Sequence, residues 1–237
     1  MHLLILLSVC LVLAVTAVAQ KPHPCKSPPL MVGHLSAIDS NSESFLTEGF
    51  SYDALGQRIR VRTHFVHHNQ SFYSDELLLF TKGVMYEISY RNQTCTKAAL
   101  KMPFPVIEIP QDATLLSQTF LGSSSGPGQG LLVNVWTGEL HQQKEIHSRA
   151  MATPPVKYLM SFTEIGCVPV SIVYYTDRTD WNLISFFDLV LKIEDPQEFV
   201  PPDFCDTTKP VEEGEEVVTE FYHALFKANG QKKKTMV

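Results

Sequence analysis

Apolar and polar residues alternate strictly from Arg58 to Phe65. Ile59, Val61, Thr63 and Phe65 fall on one side, and Arg58, Arg60, Arg62 and His64 on the other. That is the pattern of a β-strand with one buried face. Phe45 to Tyr52 predicts a strand before it, with Asp53-Ala54-Leu55-Gly56 as the hairpin connection. Leu77 to Thr81, Lys82-Gly83 and Val84 to Tyr90 predict a second hairpin. Further strands are predicted at Cys95–Leu100, Leu116–Leu121, Leu131–Thr137, Lys157–Glu164, Val168–Thr176 and Leu183–Ile193. Strand follows strand with no helical period between them. This predicts an all-β fold of antiparallel sheets in a sandwich or half-open barrel. Leu77-Leu78-Leu79-Phe80, Phe186-Phe187 and Leu189-Val190-Leu191 are apolar on both faces. Such strands are covered on both sides, or line a cavity or a subunit interface.

Both ends of the chain break this pattern. Leu3 to Val15 is an apolar run, short of the roughly 20 residues a bilayer span needs. Ala17-Val18-Ala19 follows, which is the layout of a cleavable signal peptide over residues 1–19. Residues 20–205 then form one β domain, an ordinary size for an all-β unit. Near its end, Asp195 reads as an N-cap and Pro196 as the first position of one helical turn, which Val200-Pro201-Pro202 stops. Beyond Cys205 the composition turns acidic and then basic, so residues 206–237 are expected to be a flexible charged tail.

The cysteines fit export. Of five, Cys10 leaves with the signal and Cys25, Cys95, Cys167 and Cys205 remain, an even number for an oxidising compartment. Their wide spacing is unlike a zinc site, and the spacing alone leaves three pairings open. Asn69-Gln70-Ser71 and Asn92-Gln93-Thr94 are N-glycosylation sequons beside predicted turns.

Charge narrows the partners. The chain carries 19 basic and 25 acidic side chains, a net −6, so it has no general attraction for nucleic acid. It also has nine His, eight of them beyond the signal, and full protonation carries −6 to +2. That motivates stronger binding to an anionic membrane surface at acidic pH, with Arg58, Arg60, Arg62 and His64 as a basic stripe. The plainer reading is a solvated outer face paired with carboxylates such as Glu48.

Catalytic patterns are weak. Gly122-Ser123-Ser124-Ser125-Gly126 matches G-x-S-x-G, but it runs into Pro127-Gly128 and reads as a loop, not the strand–turn–helix a nucleophile needs. His64, His67 and His68 are close enough in sequence for a metal but lie beside a sequon. No H-E-x-x-H, phosphate-loop or EF-hand pattern occurs. No enzyme is expected, and no cofactor is required.

Several segments together resemble one family. His23-Pro24-Cys25-Lys26-Ser27-Pro28-Pro29-Leu30 resembles the N-terminal cysteine motif of ependymins. Phe50-Ser51-Tyr52-Asp53, Gly83-Val84-Met85-Tyr86-Glu87-Ile88 with Cys95, and Leu132-Val133-Asn134-Val135-Trp136 continue the likeness in order. Gly166-Cys167-Val168-Pro169, Phe186-Phe187-Asp188 and Asp195-Pro196 through Cys205 complete it. The sequence resembles the fish-type members more than the mammalian type.

The resemblance implies two curved antiparallel sheets around a hydrophobic pocket, similar to bacterial lipoprotein carriers. It implies pairing of Cys25 with Cys167 and of Cys95 with Cys205. It implies a secreted, extracellular glycoprotein that binds lipids or other hydrophobic ligands, including anionic lipids and gangliosides, and forms homodimers; the mammalian type is linked to lysosomes. The pocket residues so implied are Val84, Tyr86, Ile88, Val133, Val135, Trp136, Phe186, Phe187 and Leu189. The alternative is a calcium-binding matrix or cell-adhesion glycoprotein of neural tissue. Asp188, Glu194 and Asp195 are its candidate ligands, because they cluster near one strand end.

Overall fold

A computed structural model describes residues 21–40, 46–67, 70–140, 155–176 and 180–206. The described residues contain eleven strands. They are β1 (Leu30–Asp39), β2 (Leu46–Asp53), β3 (Arg58–His67), β4 (Gln70–Leu79), β5 (Val84–Ser89) and β6 (Thr94–Ala99). The rest are β7 (Thr114–Gly122), β8 (Gly130–Leu140), β9 (Val156–Thr163), β10 (Pro169–Tyr175) and β11 (Trp181–Val190). Every described pairing is antiparallel, as the alternation predicts. The strands are joined in one open, curved ladder in the order β6-β5-β4-β3-β2-β1-β11-β10-β9-β8-β7. The expected all-β fold of curved antiparallel sheets is present, and β1, which pairs with both β2 and β11, joins its two halves into one sheet.

That joining strand is the one the sequence pattern misses. Its register sets Leu35 opposite Phe186 on one side and Glu48 on the other. Gly33 sits at the bulge between β1 and β11, where an added Cβ would lie 2.6 Å from Leu189 Cδ2. A side chain there would collide with the opposite strand, so the position stays glycine and the strand loses part of its apolar signature.

One face of the sheet carries the core. It draws Met31 and Leu35 from β1, Phe50 and Tyr52 from β2, Ile59 and Val61 from β3, and Leu78 from β4. Trp136, Tyr158, Met160, Phe162, Ile172, Tyr174, Ile184 and Phe186 continue it across β8 to β11. The segment after β6 crosses this face, and Leu100, Ile107 and Ile109 bury into it. Tyr52 Oη fixes that segment by donating to the Pro105 carbonyl and accepting from the Ile107 N–H, both at 3.3 Å.

The opposite, outer face has a smaller core of Leu77, Leu79, Ile88, Phe199 and Cys205. Its cover is the C-terminal strap from Asp195 to Cys205. Asp195 accepts from the Gln197 N–H at 2.9 Å and opens the short 3-10 turn Pro196–Phe199, as its N-cap reading anticipates. The doubly apolar run of β4 is thereby explained. Leu78 faces the main core, while Leu77 and Leu79 face the strap.

Two disulfides fasten these covers, in the pairs the resemblance implies. Cys25–Cys167 ties the N-terminal segment to the turn between β9 and β10, and Cys95–Cys205 ties β6 to the strap.

Candidate ligand-binding face

The inner face is lined by Phe50, Tyr52, Trp136, Tyr158, Phe162, Tyr174 and Phe186, all buried. Strand alternation places them on one side. Trp136 on β8 stands opposite Met160 on β9, and Tyr158 stands opposite Gly138 and Tyr174 on its two neighbours. The Tyr158 ring lies over Gly138, where a Cβ would be 2.2 Å from its hydroxyl.

Two polar tips on this face lack partners. Trp136 Nε1 and Tyr158 Oη are buried and make no hydrogen bond among the described residues. Native interiors pair nearly all such groups, so the indole N–H and the phenol each call for an acceptor outside the described residues, such as water or a ligand. Burial, with the Asp112 carboxylate adding, pushes the Tyr158 phenol up to about 12. Burial raises Tyr174 as well. Both therefore stay neutral hydroxyls at any physiological pH.

The sequence-derived pocket residues divide between the two faces. Trp136, Phe186 and Leu189 belong to the inner face or pack on it. Val84, Tyr86 and Ile88 point outward and pack under the strap with Phe199 and Cys205. Val133 is buried and Val135 half-buried, and both alternate with Trp136 along β8. Phe187 is 38 % exposed and stacks on His34, with ring centroids 5.7 Å apart. The nine therefore do not line one cavity. Tyr158, Tyr174, Phe50 and Tyr52 hold inner-face positions the sequence reading left out, although Val156, Tyr158, Met160 and Phe162 alternate as a buried strand face should.

The arginine stripe is where alternation puts it, on the outer face, but it is already neutralised. Arg60 is buried and donates to both oxygens of Asp75, at 2.8 and 2.7 Å, to the Glu198 carbonyl, and to Tyr90 Oη. Arg58 pairs with Asp53 at 2.7 Å and lies 4.5 Å over the Phe199 ring. Arg62 pairs with Glu198 at 3.1 Å, and Ser51 Oγ also donates to that carboxylate. The side chain of His64 lies outside the described residues, as do those of His67 and His68. Glu48, named above as a partner for the stripe, is on the inner face and accepts from Thr63. The three arginines thus hold the strap to β3.

The three candidate calcium ligands are engaged separately. Asp188 faces His34 at 3.9 Å, Glu194 pairs with Lys192 at 2.7 Å, and Asp195 caps the 3-10 turn. The Lys192 ammonium holds the Glu194 carboxyl below its ordinary range. Among the described residues, no three His, Cys, Asp or Glu side chains form a metal-binding group.

Ser124 lies in the exposed hairpin loop between β7 and β8, outside any strand–turn–helix. Two open clefts carry polar side chains. One, of about 420 Å³, lies along the strap beside Arg60, Arg62 and Glu198. The other, of about 300 Å³, lies by His23, Asn134 and Glu164. Asn134 donates to Glu164 there, so that carboxylate is already bound.

Asn92 is exposed in the turn between β5 and β6, where an N-glycan meets only water. Asn69 lies outside the described residues. Peptide-N-glycosidase is expected to release a glycan from Asn92 of secreted material. Asn92→Gln should remove the share of the mass change assigned to that site, leaving any glycan on Asn69, while altering stability by no more than about 0.5 kcal/mol. An unmodified Asn92 would contradict this placement.

A disulfide-strapped, all-β protein with one buried aromatic face is the class this geometry defines. The family model described as Ependymin matches residues 68–205. Ependymin-2 of Carassius auratus is 37% identical over 193 residues, covering 81% of this chain and 84% of that protein. Ependymin of Notemigonus crysoleucas is 36% identical, also over 193 residues, with the same coverage of both chains. Mammalian ependymin-related protein 1 of Rattus norvegicus is 29% identical over 192 residues, covering 80% of this chain and 79% of that protein. Among solved structures, an uncharacterized conserved protein from Thermus thermophilus superposes with a TM-score of 0.47 at 9% identity, over 76% of this chain and 89% of that one. The chain belongs to the ependymin family.

Proposed function

We propose that this chain is a secreted, non-enzymatic glycoprotein that binds a lipid or another hydrophobic ligand against its inner face. The observation that carries the reading is the pair of buried, unpartnered donors on a face dominated by aromatic and aliphatic side chains, Trp136 Nε1 and Tyr158 Oη. An amphiphile with a hydrogen-bond acceptor satisfies both needs of such a face. Its chain packs on aromatic and aliphatic side chains, and its acceptor takes the indole or phenol hydrogen. Secretion is supported by the signal-like N-terminus, the two disulfides and family membership.

The test is extraction of the secreted protein followed by mass spectrometry. A co-purifying lipid in near-stoichiometric amount is expected. Its absence, together with no change in Trp fluorescence on adding fatty acids or phospholipids, would remove the reading.

A further inference from the structure

Positive charge is kept off the inner face. Among the described side chains, Arg60 is the one buried cation, and it lies on the outer face, held by Asp75. Arg58 and Lys97 are half-buried on that outer side, over the rings of Phe199 and Tyr86. Every other described Lys, Arg and His side chain is exposed. Carboxyl groups, by contrast, do reach the inner face. Glu48 is buried on it, in line with Phe50 and Tyr52 along β2, and accepts from Thr63. Burial raises the Tyr158 phenol and Asp112 adds to the rise; burial raises Tyr52 and Glu108 adds there. The two unpartnered tips, Trp136 Nε1 and Tyr158 Oη, carry no charge themselves.

We infer that the inner face selects an uncharged amphiphile, whose polar end is an ester, amide or hydroxyl and not a carboxylate, a phosphate or an ammonium group. This rests on the ligand-binding reading above and narrows it to a ligand class. An indole offers one hydrogen and accepts none, while a phenol offers one and accepts one. A neutral carbonyl or hydroxyl oxygen is matched by one such donor. An anion is not. Moved from water onto this face, it keeps its charge and finds no cation among the described residues to pair with. The same Asp112 charge that disfavours a tyrosinate at Tyr158 disfavours any anion bound to its hydroxyl. A quaternary ammonium group fails for the opposite reason. It has no lone pair, so the indole N–H stays unpaired beneath it.

Calorimetric titration of the full secreted chain at pH 7, stripped of co-purifying lipid, tests this. The probes share one acyl length and stay below their micelle-forming concentrations: monodecanoylglycerol, decanoate and decyltrimethylammonium. The glycerol ester is expected to bind. Decanoate is expected to bind on the order of ten- to a hundredfold more weakly, and the ammonium probe more weakly than the ester. Trp136→Phe and Tyr158→Phe each keep an aromatic ring and delete one donor, and each should weaken the ester about three- to tenfold. Decanoate or the ammonium probe binding as tightly as the ester overturns the inference and leaves lipid binding standing. So does an ester affinity unchanged in both variants. Binding of none of the three probes, with no co-purifying lipid, removes the lipid-binding reading and the inference with it.

Discussion

Replacing Arg60 by alanine is expected to destabilise the fold by about 3–5 kcal/mol, because it strands a nearly buried Asp75 carboxylate. The guanidinium is 6% exposed and Asp75 is 13% exposed. Arg60 gives two hydrogen bonds to that carboxylate, one to Tyr90 and one to the Glu198 carbonyl. Asp75 and Tyr90 hold its pKa well above the ordinary arginine value against the opposing cost of burial. It therefore stays charged across any pH at which the protein folds, and the loss should not depend on its titration. Urea denaturation of the variant measures the effect. Arg60→Met combined with Asp75→Leu removes both charges together and should recover a large part of the loss. A single variant within about 1 kcal/mol of the unaltered protein would show that water reaches Asp75 and that the pair acts as a surface ion pair.

Removing the Cys25–Cys167 bridge is expected to cost about 2–5 kcal/mol. The bridge joins residues separated by 142 positions. Without it the unfolded chain gains freedom, and the native N-terminal segment is left with few anchors. They include the backbone bonds Ser27 N–H to Ile107, Ile109 N–H to Cys25 and Ala54 N–H to Pro29, the bond from Ser27 Oγ to the Ile107 carbonyl, and the Lys26–Glu108 ion pair. Both cysteines touch the main core. Cys25→Ala with Cys167→Ala should lower the denaturation midpoint and loosen the segment after β6 that Tyr52 holds. Hydrogen exchange at the Ile107 and Ile109 amides reports the second effect. Unchanged protection at those amides would mean that Tyr52 and the core hold the segment alone.

The sequence by itself determined the strands whose alternation is complete. Arg58 to Phe65 reads as a strand with one apolar face because Ile59 and Val61 recur at every second position, and both are buried in the main core, although Arg60 on the other face is buried as well. Asp195 as a cap before Pro196 was equally legible, because a cap is a local hydrogen bond between near neighbours. The family likeness carried the disulfide pairing, which spacing alone left open. What only the tertiary structure decided involves residues far apart in the chain. The strand β1 was hidden because Gly33, His34 and Ser36 weaken its pattern, and its burial comes from β11, which arrives at the end of the domain. The arginines of β3 looked like a free basic face until the strap returned Glu198 to them. Val84, Tyr86 and Ile88 looked like pocket residues for the same reason. Alternation says that they share a face, but which face is covered, and by what, depends on where Phe199 and Cys205 come to rest. Period and capping are short-range properties written in adjacent residues. The choice between a core, a cavity and a strapped outer face is made by long-range contacts, which no local pattern records.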